Sequence, residues 1–270
     1  MTKENIETGE RVVPEDIKSK YEYITYLRHL FAYSYACRLV KDKKNIIELG
    51  CGSGYGAKLL SCHAAKVTAI DNNADSIEYA LSLHHSENLS FCCVKDKKLP
   101  FADGSFDAAV CFQVIEHIPD DVEFVSEIFR ILKSGGFLIM TTPDKKHRLK
   151  FSKKPWYKFH VREYNETELH TLLATRFGAI EIFGIKASEE IFKMESNIAA
   201  VASFITFVDF LNLRNLVNYK MRRFAIKHIE SLRSSKNTNK KEYLKMYSEK
   251  DFYIEKNTKK CLDLLAVCKK

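Results

Sequence analysis

Short apolar runs alternate with amphipathic stretches through the middle of the chain, which is the rhythm of an α/β fold. Asn45-Ile46-Ile47 opens a first strand near 45–49, and a helix follows near 55–64. A second strand near 66–71 leads to a helix near 74–84, and Leu89 to Val94 reads as the third strand. Phe106 to Phe112 forms the fourth, with a helix near 120–132. Gly135-Gly136 turns the chain into a fifth strand, Phe137 to Thr141. A loop runs to about 163, then come a helix near 166–176 and a sixth strand near 179–184. Cys261 to Cys268, apolar almost throughout, reads as the closing strand.

The flanks break this rhythm. Residues 1–14 are polar and read as an arm, and Glu15 to Val40 is helical in spacing. Its aromatics, from Tyr21 to Tyr35, predict packing against a core or lid. The gap between the sixth and closing strands is too long for a hairpin, so 187–257 is expected to form an insertion. Within it Ile198 to Val217 is apolar with helical spacing, and Ser234 to Lys241 has the composition of a flexible loop. The expected organisation is an arm and helix (1–40), a core (41–186), a helical basic insertion (187–257) and a final core strand (258–270).

Charge sharpens the picture of the insertion. The chain of 270 residues carries a net charge of +8. Asn212 to Lys250 holds eleven Lys or Arg against three Asp or Glu, which is the whole excess. A general nucleic-acid binder would spread such residues around its catalytic mouth. Eight cysteines occur with no Cys-x-x-Cys pair, several of them in apolar strand-like runs. Reduced, buried thiols are the expectation, not a disulfide or zinc framework. The polar N-terminus and the absence of a charge-free stretch of roughly 20 residues predict a cytoplasmic protein without a signal peptide or membrane span.

The candidate chemistry begins at Glu48-Leu49-Gly50-Cys51-Gly52-Ser53-Gly54-Tyr55-Gly56, between the first strand and its helix. Glycines there permit positive φ and a close approach of a ligand to the backbone. The second strand ends in Asp71, about 20 residues beyond the first glycines, the spacing at which a doubly wound sheet places an acid on a ribose. A helix cap is the alternative role for Asp71.

The pattern resembles the class I S-adenosylmethionine-dependent methyltransferases, whose first motif, acid-x-Gly-x-Gly-x-Gly, is matched by Glu48, Gly50, Gly52 and Gly54. Leu99-Pro100-Phe101-Ala102-Asp103-Gly104-Ser105-Phe106-Asp107 resembles the family's Leu-Pro-Phe-x-Asp-x-Ser-Phe-Asp, and is read as a turn that sets the fourth strand. The likeness covers roughly 44–184 and is to the type 11 small-molecule methyltransferases. It implies a Rossmann-like sheet of seven strands in the order 3-2-1-4-5-7-6, with helices on both faces. It implies S-adenosyl-L-methionine as cofactor, held by Glu48, Gly50, Cys51, Gly52, Gly54, Asp71, Asn72, Asp96, Lys97 and Gln113. In that family an Asp at the position of Asp96 accepts from the adenine amino group; Lys97 stands where a small residue is common.

A narrower likeness rests on Thr8 to Glu15, Gly54-Tyr55-Gly56, Val114-Ile115-Glu116-His117 and Phe159-His160-Val161-Arg162-Glu163-Tyr164. It is to a bacterial and archaeal branch associated with surface polysaccharide or glycolipid synthesis. O-methylation of a small-molecule, glycan or lipid-linked hydroxyl is the activity this implies. A hydroxyl must lose its proton during attack, and an imidazole takes it up at neutral pH. His160, in the loop after the fifth strand, is the first candidate base and His117 the second. Arg11, Arg162 and Tyr164 are candidates for binding acceptor oxygens, or for holding the loop. No clustered His/Asp set argues for a metal.

Other classes remain open. The Asn/Asp-Pro-Pro-aromatic turn of amino-methyltransferases acting on nucleic acid is replaced by Gln113-Val114-Ile115-Glu116, which disfavours such an acceptor. A quinone or lipid-type acceptor, or a non-catalytic donor-binding or interaction protein, is an alternative. The apolar helix with Lys220, Arg222, Arg223 and Lys227 after it is a solvated lid or a peripheral contact with an anionic membrane.

Overall fold

In the computed structural model, residues 12–210 and 242–270 are described. Arg11, the cluster Lys220 to Lys227 and the stretch Ser234 to Lys241 lie outside the described residues. A 3-10 turn, Pro14–Asp16, precedes helix α1, Lys20–Val40, whose Ser19 cap accepts from the Glu22 N–H at 3.2 Å. Five strands then alternate with helices: β1 (Asn45–Leu49), α2 (Tyr55–Ser61), β2 (Lys66–Asp71), α3 (Ala74–Leu83), β3 (Leu89–Cys93), β4 (Phe106–Phe112), α4 (Asp121–Ile131) and β5 (Leu132–Pro143). There follow α5 (Lys145–Arg148), α6 (Glu166–Leu173), β6 (Ala179–Ala187), α7 (Glu189–Phe210), α8 (Tyr243–Met246), β7 (Phe252–Glu255) and β8 (Asp263–Lys269).

The strands form one eight-stranded sheet in the order β3-β2-β1-β4-β5-β8-β6-β7. β1 to β5 run parallel, while β8 is antiparallel between β5 and β6. The α/β methyltransferase-type architecture is the one expected, with one correction. Phe252–Glu255 adds an antiparallel edge strand against β6, so among the described residues the sheet has eight strands and not seven. Four residues with mixed burial and polar neighbours leave no alternation long enough to announce a strand. α7 begins at Glu189, ahead of the apolar stretch that predicted it, because its first turns carry polar residues to the surface.

Alternate strand residues feed two separate cores, as the period of two requires. Ile46, Val110, Ile139 and Leu265 pack with α1, α2 and the start of α7 on one face. Ile47, Leu138, Met140 and Leu264 pack with α4 and α6 on the other. Fully burying each such side chain contributes about 1.5–3 kcal/mol. A capping box fixes the start of α6: Asn165 Oδ1 accepts from the Glu168 N–H at 3.0 Å, and Glu168 Oε2 accepts from the Asn165 N–H at 3.0 Å. It sets where the loop after β5 rejoins the sheet.

Candidate active site

The carboxyl ends of β1, β2 and β4 open into one cavity of about 560 Å³, at the crevice where open parallel sheets bind ligands. Its floor is the turn after β1. Gly50 and Gly52 have φ of 75° and 54°, a region that costs any residue with a Cβ. The N–H groups of Gly50 and Cys51 both donate to the Ile70 carbonyl, at 2.8 and 3.0 Å, which ties the turn to the end of β2. A Cβ on Gly50 would fall 2.4 Å from Val114 Cγ2, so the turn packs against the exit of β4 only with glycine there.

Two residues of the motif serve elsewhere. Glu48 does not line the cavity; its buried carboxyl accepts from the Tyr33 hydroxyl at 2.5 Å, and burial pushes its pKa up to about 8. Gly54 does not line it either. A Cβ there would meet Ala80 Cβ at 2.7 Å and the Phe91 ring at 2.9 Å, so this glycine lets α2 pack on α3 and β3. Both were expected to contact the cofactor, and both instead shape the turn from behind.

Asp71 and Asn72 form one wall, at the end of β2. Asp71 Oδ2 accepts from the Gly52 N–H at 3.0 Å and Oδ1 from the Asn73 N–H at 2.9 Å. The carboxylate is thus fixed in orientation by two backbone donors. The cap of α3 is Asn73, whose Oδ1 accepts from Ser76, so the capping role considered for Asp71 belongs to its neighbour. Asp96 lies on the adjoining wall after β3, beside Val94 and Leu99. Lys97 lines the cavity too, but its ammonium reaches Asp120 at 2.7 Å and Glu123 at 3.6 Å across the mouth.

Gln113, just past β4, is held in the left-handed region at φ 55°. Its Nε2 donates to Thr141 Oγ1 at 3.2 Å and to Asp263 Oδ2 at 3.3 Å. Asp263 is itself buried against Arg28, whose Nε lies 3.1 Å away, and Arg28 also meets Glu195 of α7 at 3.3 Å. The neighbouring carboxylates raise the Arg28 pKa despite burial. This chain of contacts connects α1, α7 and β8 to the cavity wall.

The two histidines part company. His117, in the 3-10 turn Ile115–His117, lines the cavity, and its Nδ1 lies 3.0 Å from the Phe159 carbonyl. A carbonyl only accepts, so this contact selects the Nδ1–H tautomer and makes Nε2 the basic nitrogen. His160 does not line the cavity. Its side chain is fully buried behind His117, ring centroids 4.7 Å apart, with Nδ1 3.0 Å from Glu163 Oε1. The loop is brought there by the Val161 N–H, which donates to the Glu116 carbonyl at 2.9 Å. Arg162 and Tyr164 are likewise loop-holders: both donate to Asp121 Oδ2, Tyr164 at 2.7 Å, and neither lines the cavity.

Some cavity residues were not singled out from the sequence. Tyr33 and His29 reach it from α1, and Phe124 and Phe159 also line it. The row of aromatics in α1 was the available signal for Tyr33; nothing in local spacing marks the others. Val12 also lines the cavity and accepts from Ser53 Oγ at 2.8 Å, so the chain next to Arg11 covers the glycine turn. The fold further gathers Glu116, His117 and His160, each offering a ligand atom within 4.8 Å of the others.

The residues present fit S-adenosyl-L-methionine. A cavity within the usual ligand range of roughly 300–1,000 Å³ is lined by a glycine turn packed against Val114, by the oriented carboxylate of Asp71 and by a second acid, Asp96. Residues 47–140 match a family profile described as a methyltransferase domain, type 11. The chain is 36% identical over 172 residues to a probable S-adenosylmethionine-dependent methyltransferase of Mycobacterium tuberculosis, covering 62% of this chain and 58% of that one. It is 32% identical over 111 residues to a fatty-acid O-methyltransferase of Mycolicibacterium smegmatis, covering 40% of each. The matched region therefore spans little more than half of the mycobacterial relative's length. Among solved structures, the YcgJ protein of Bacillus subtilis superposes with a TM-score of 0.58 at 16% identity, over 90% of this chain and 99% of that one.

Proposed function

We propose that this class I S-adenosylmethionine-dependent methyltransferase domain methylates an oxygen of a small-molecule, glycan or lipid-linked acceptor that enters past Phe159 and His117. The observation that carries the reading is that one cavity is lined both by donor-type residues and by a histidine with aromatics. Its lining joins the glycine turn, Asp71 and Asp96 with His117 and Phe159, and in this reading the first group holds the donor and the second faces the acceptor. S-adenosyl-L-methionine supplies an electrophilic methyl group on a sulfonium and leaves as a neutral thioether.

The chain's own residues then have three tasks. Asp71 and Asp96 accept from the ribose and adenine, and the backbone of Gly50 to Gly52 lets the donor lie against the sheet. Phe124 and Phe159 exclude water from the acceptor end, where alignment contributes much of the rate. His117 Nε2 takes up the acceptor's proton, the role first assigned to His160. Substituting His117 by Gln lowers turnover about 100-fold while leaving donor affinity within about twofold, in the range for loss of a general base. Calorimetry and initial rates measure the two effects. Unchanged turnover removes His117 from the chemistry.

A lipid-linked acceptor is favoured by the loop beside the mouth. Lys145 to Arg162 contains eight Lys or Arg and no Asp or Glu. Lys146, Lys150, Lys153, Lys154 and Lys158 are exposed, as are Phe151, Phe159 and Val161. Phe204 and Phe207 of α7 are also exposed, and the Phe151 and Phe204 rings lie 6.1 Å apart. Cations mixed with aromatics suit the surface of an anionic bilayer. No helix of the described residues is long and apolar enough to cross one. Anionic vesicles are expected to sediment the protein at low salt, less so at high salt, and not after Lys150, Lys153 and Lys154 are changed to Glu. No sedimentation at low salt removes the membrane reading. A fatty-acid O-methyltransferase among the relatives is consistent with an apolar acceptor. A protein that binds the donor without transferring its methyl group is the reading to be displaced by turnover.

A further inference from the structure

The polar wall behind His117 is larger than removal of one proton requires. Glu116 and His117 are neighbours in the turn after β4, and His160 arrives from the loop after β5. One ligand-capable atom of each lies within 4.8 Å of those of the other two. We propose that Glu116, His117 and His160 bind a divalent transition-metal cation, zinc being the best match, with its open coordination position facing the acceptor end of the cavity.

The donor set is the first argument. Two imidazoles and one carboxylate, with one position left open, are a ligand set of catalytic zinc sites. Imidazoles favour zinc and its transition-metal neighbours, whereas magnesium and calcium prefer sites made of oxygen.

The contacts behind the ligands are the second. Metal-bound histidines hold their other ring nitrogen against a carboxylate or a backbone carbonyl. His160 Nδ1 lies 3.0 Å from Glu163 Oε1, and His117 Nδ1 lies 3.0 Å from the Phe159 carbonyl. Glu116 Oε2 accepts from Thr142 Oγ1 at 3.0 Å. Glu163 is steadied in turn by Arg148, whose Nε is 3.1 Å from the same oxygen and whose guanidinium sits over Trp156. With both Nδ1 atoms engaged, Nε2 is the nitrogen each ring would offer to the cation.

Access is the third. Glu116 and His160 are buried, while His117 is half-buried and lines the cavity. The cavity thus supplies an entry path and an open side. The cluster was invisible to spacing because its two histidines stand 43 positions apart. A set of internal ion pairs without a metal is the competing account of the same contacts.

The proposal rests on the O-methylation reading only for what the open position would face. With a cation bound, His117 would serve as a ligand and not as the base, and the cation would supply the acidification of the acceptor hydroxyl, whose proton would pass to solvent. The test is read without donor, acceptor or turnover. The full chain, stripped with a chelator and dialysed, is titrated with Zn²⁺ and with Co²⁺, and bound metal is measured by elemental analysis. One equivalent is expected, with a cobalt spectrum of low coordination number. His160→Gln and Glu116→Gln should lower metal affinity at least 100-fold, and Glu163→Gln, behind the ligand, by about 10–100-fold. Circular dichroism and donor calorimetry on each variant separate a lost ligand from a lost fold. Absence of stoichiometric binding by the wild type, or binding that these substitutions leave unchanged, overturns the proposal. Metal binding without methyl transfer would leave this site standing and remove the acceptor reading.

Discussion

Asp71→Ala is expected to lower affinity for S-adenosyl-L-methionine at least about 100-fold while the chain remains folded. The carboxylate ends β2 and is held by two backbone donors, the Gly52 N–H at 3.0 Å and the Asn73 N–H at 2.9 Å. Asp71 lines the cavity. Hydrogen bonds to a charged group contribute about 1.5–3 kcal/mol each, so losing two to a ribose diol costs a factor of 100 or more. The substitution also releases the Gly52 N–H, which loosens the floor under the donor. Asp71→Asn keeps one acceptor and should fall between. Calorimetric titration with the donor, alongside circular dichroism, measures both parts. An affinity unchanged in Asp71→Ala would mean that the ribose is bound elsewhere.

Gly56→Ala is expected to destabilise the chain by about 3 kcal/mol, against the sign that helix propensity alone predicts. Gly56 lies inside α2, where alanine is favoured by about 1 kcal/mol. Its added Cβ, however, would stand 2.0 Å from Tyr33 Cζ and 2.4 Å from the Tyr33 hydroxyl. Tyr33 cannot step aside cheaply. It is 6% exposed, with its ring 4.9 Å from Phe112 and 5.4 Å from Tyr55. Moving it also breaks the 2.5 Å bond to Glu48, which sits fully inside the protein. Overpacking costs about 1–3 kcal/mol and a buried acceptor left without its donor about 1–3 kcal/mol more. Together these exceed the propensity gain. Urea unfolding at pH 7 gives the difference directly; a neutral or stabilising result would show that Tyr33 has room to move.

What was legible in the chain was what is local in it. The turn from Glu48 to Gly56, the acid at Asp71 and the acid at Asp96 each follow a strand, and the strands announce themselves by apolar runs. The sheet carries these positions to one cavity because parallel strands present their carboxyl ends together. The burden on Gly54 and Gly56 was not legible, since it depends on Ala80, Phe91 and Tyr33, which only the packing of α1, α2 and α3 brings near. Nor was the placement of His117 at the cavity and of His160 behind it. The loop after β5 folds beneath the turn at Glu116, whose carbonyl accepts from the N–H groups of Val161 and Arg162, and buries His160. Arg162 and Tyr164 converge on Asp121, 41 and 43 positions away, for the same reason. The edge strand Phe252–Glu255 was hidden by its shortness.

Methyl transfer itself is the central claim. Incubating the purified chain with donor labelled in its methyl group and a cell extract, then separating lipid, glycan and RNA, tests it most directly. Label is expected in the lipid or glycan fraction, base-stable as an ether or base-labile as an ester, and absent with Asp71→Ala. Label confined to RNA, or no label above that variant from a chain that binds the donor, would contradict it.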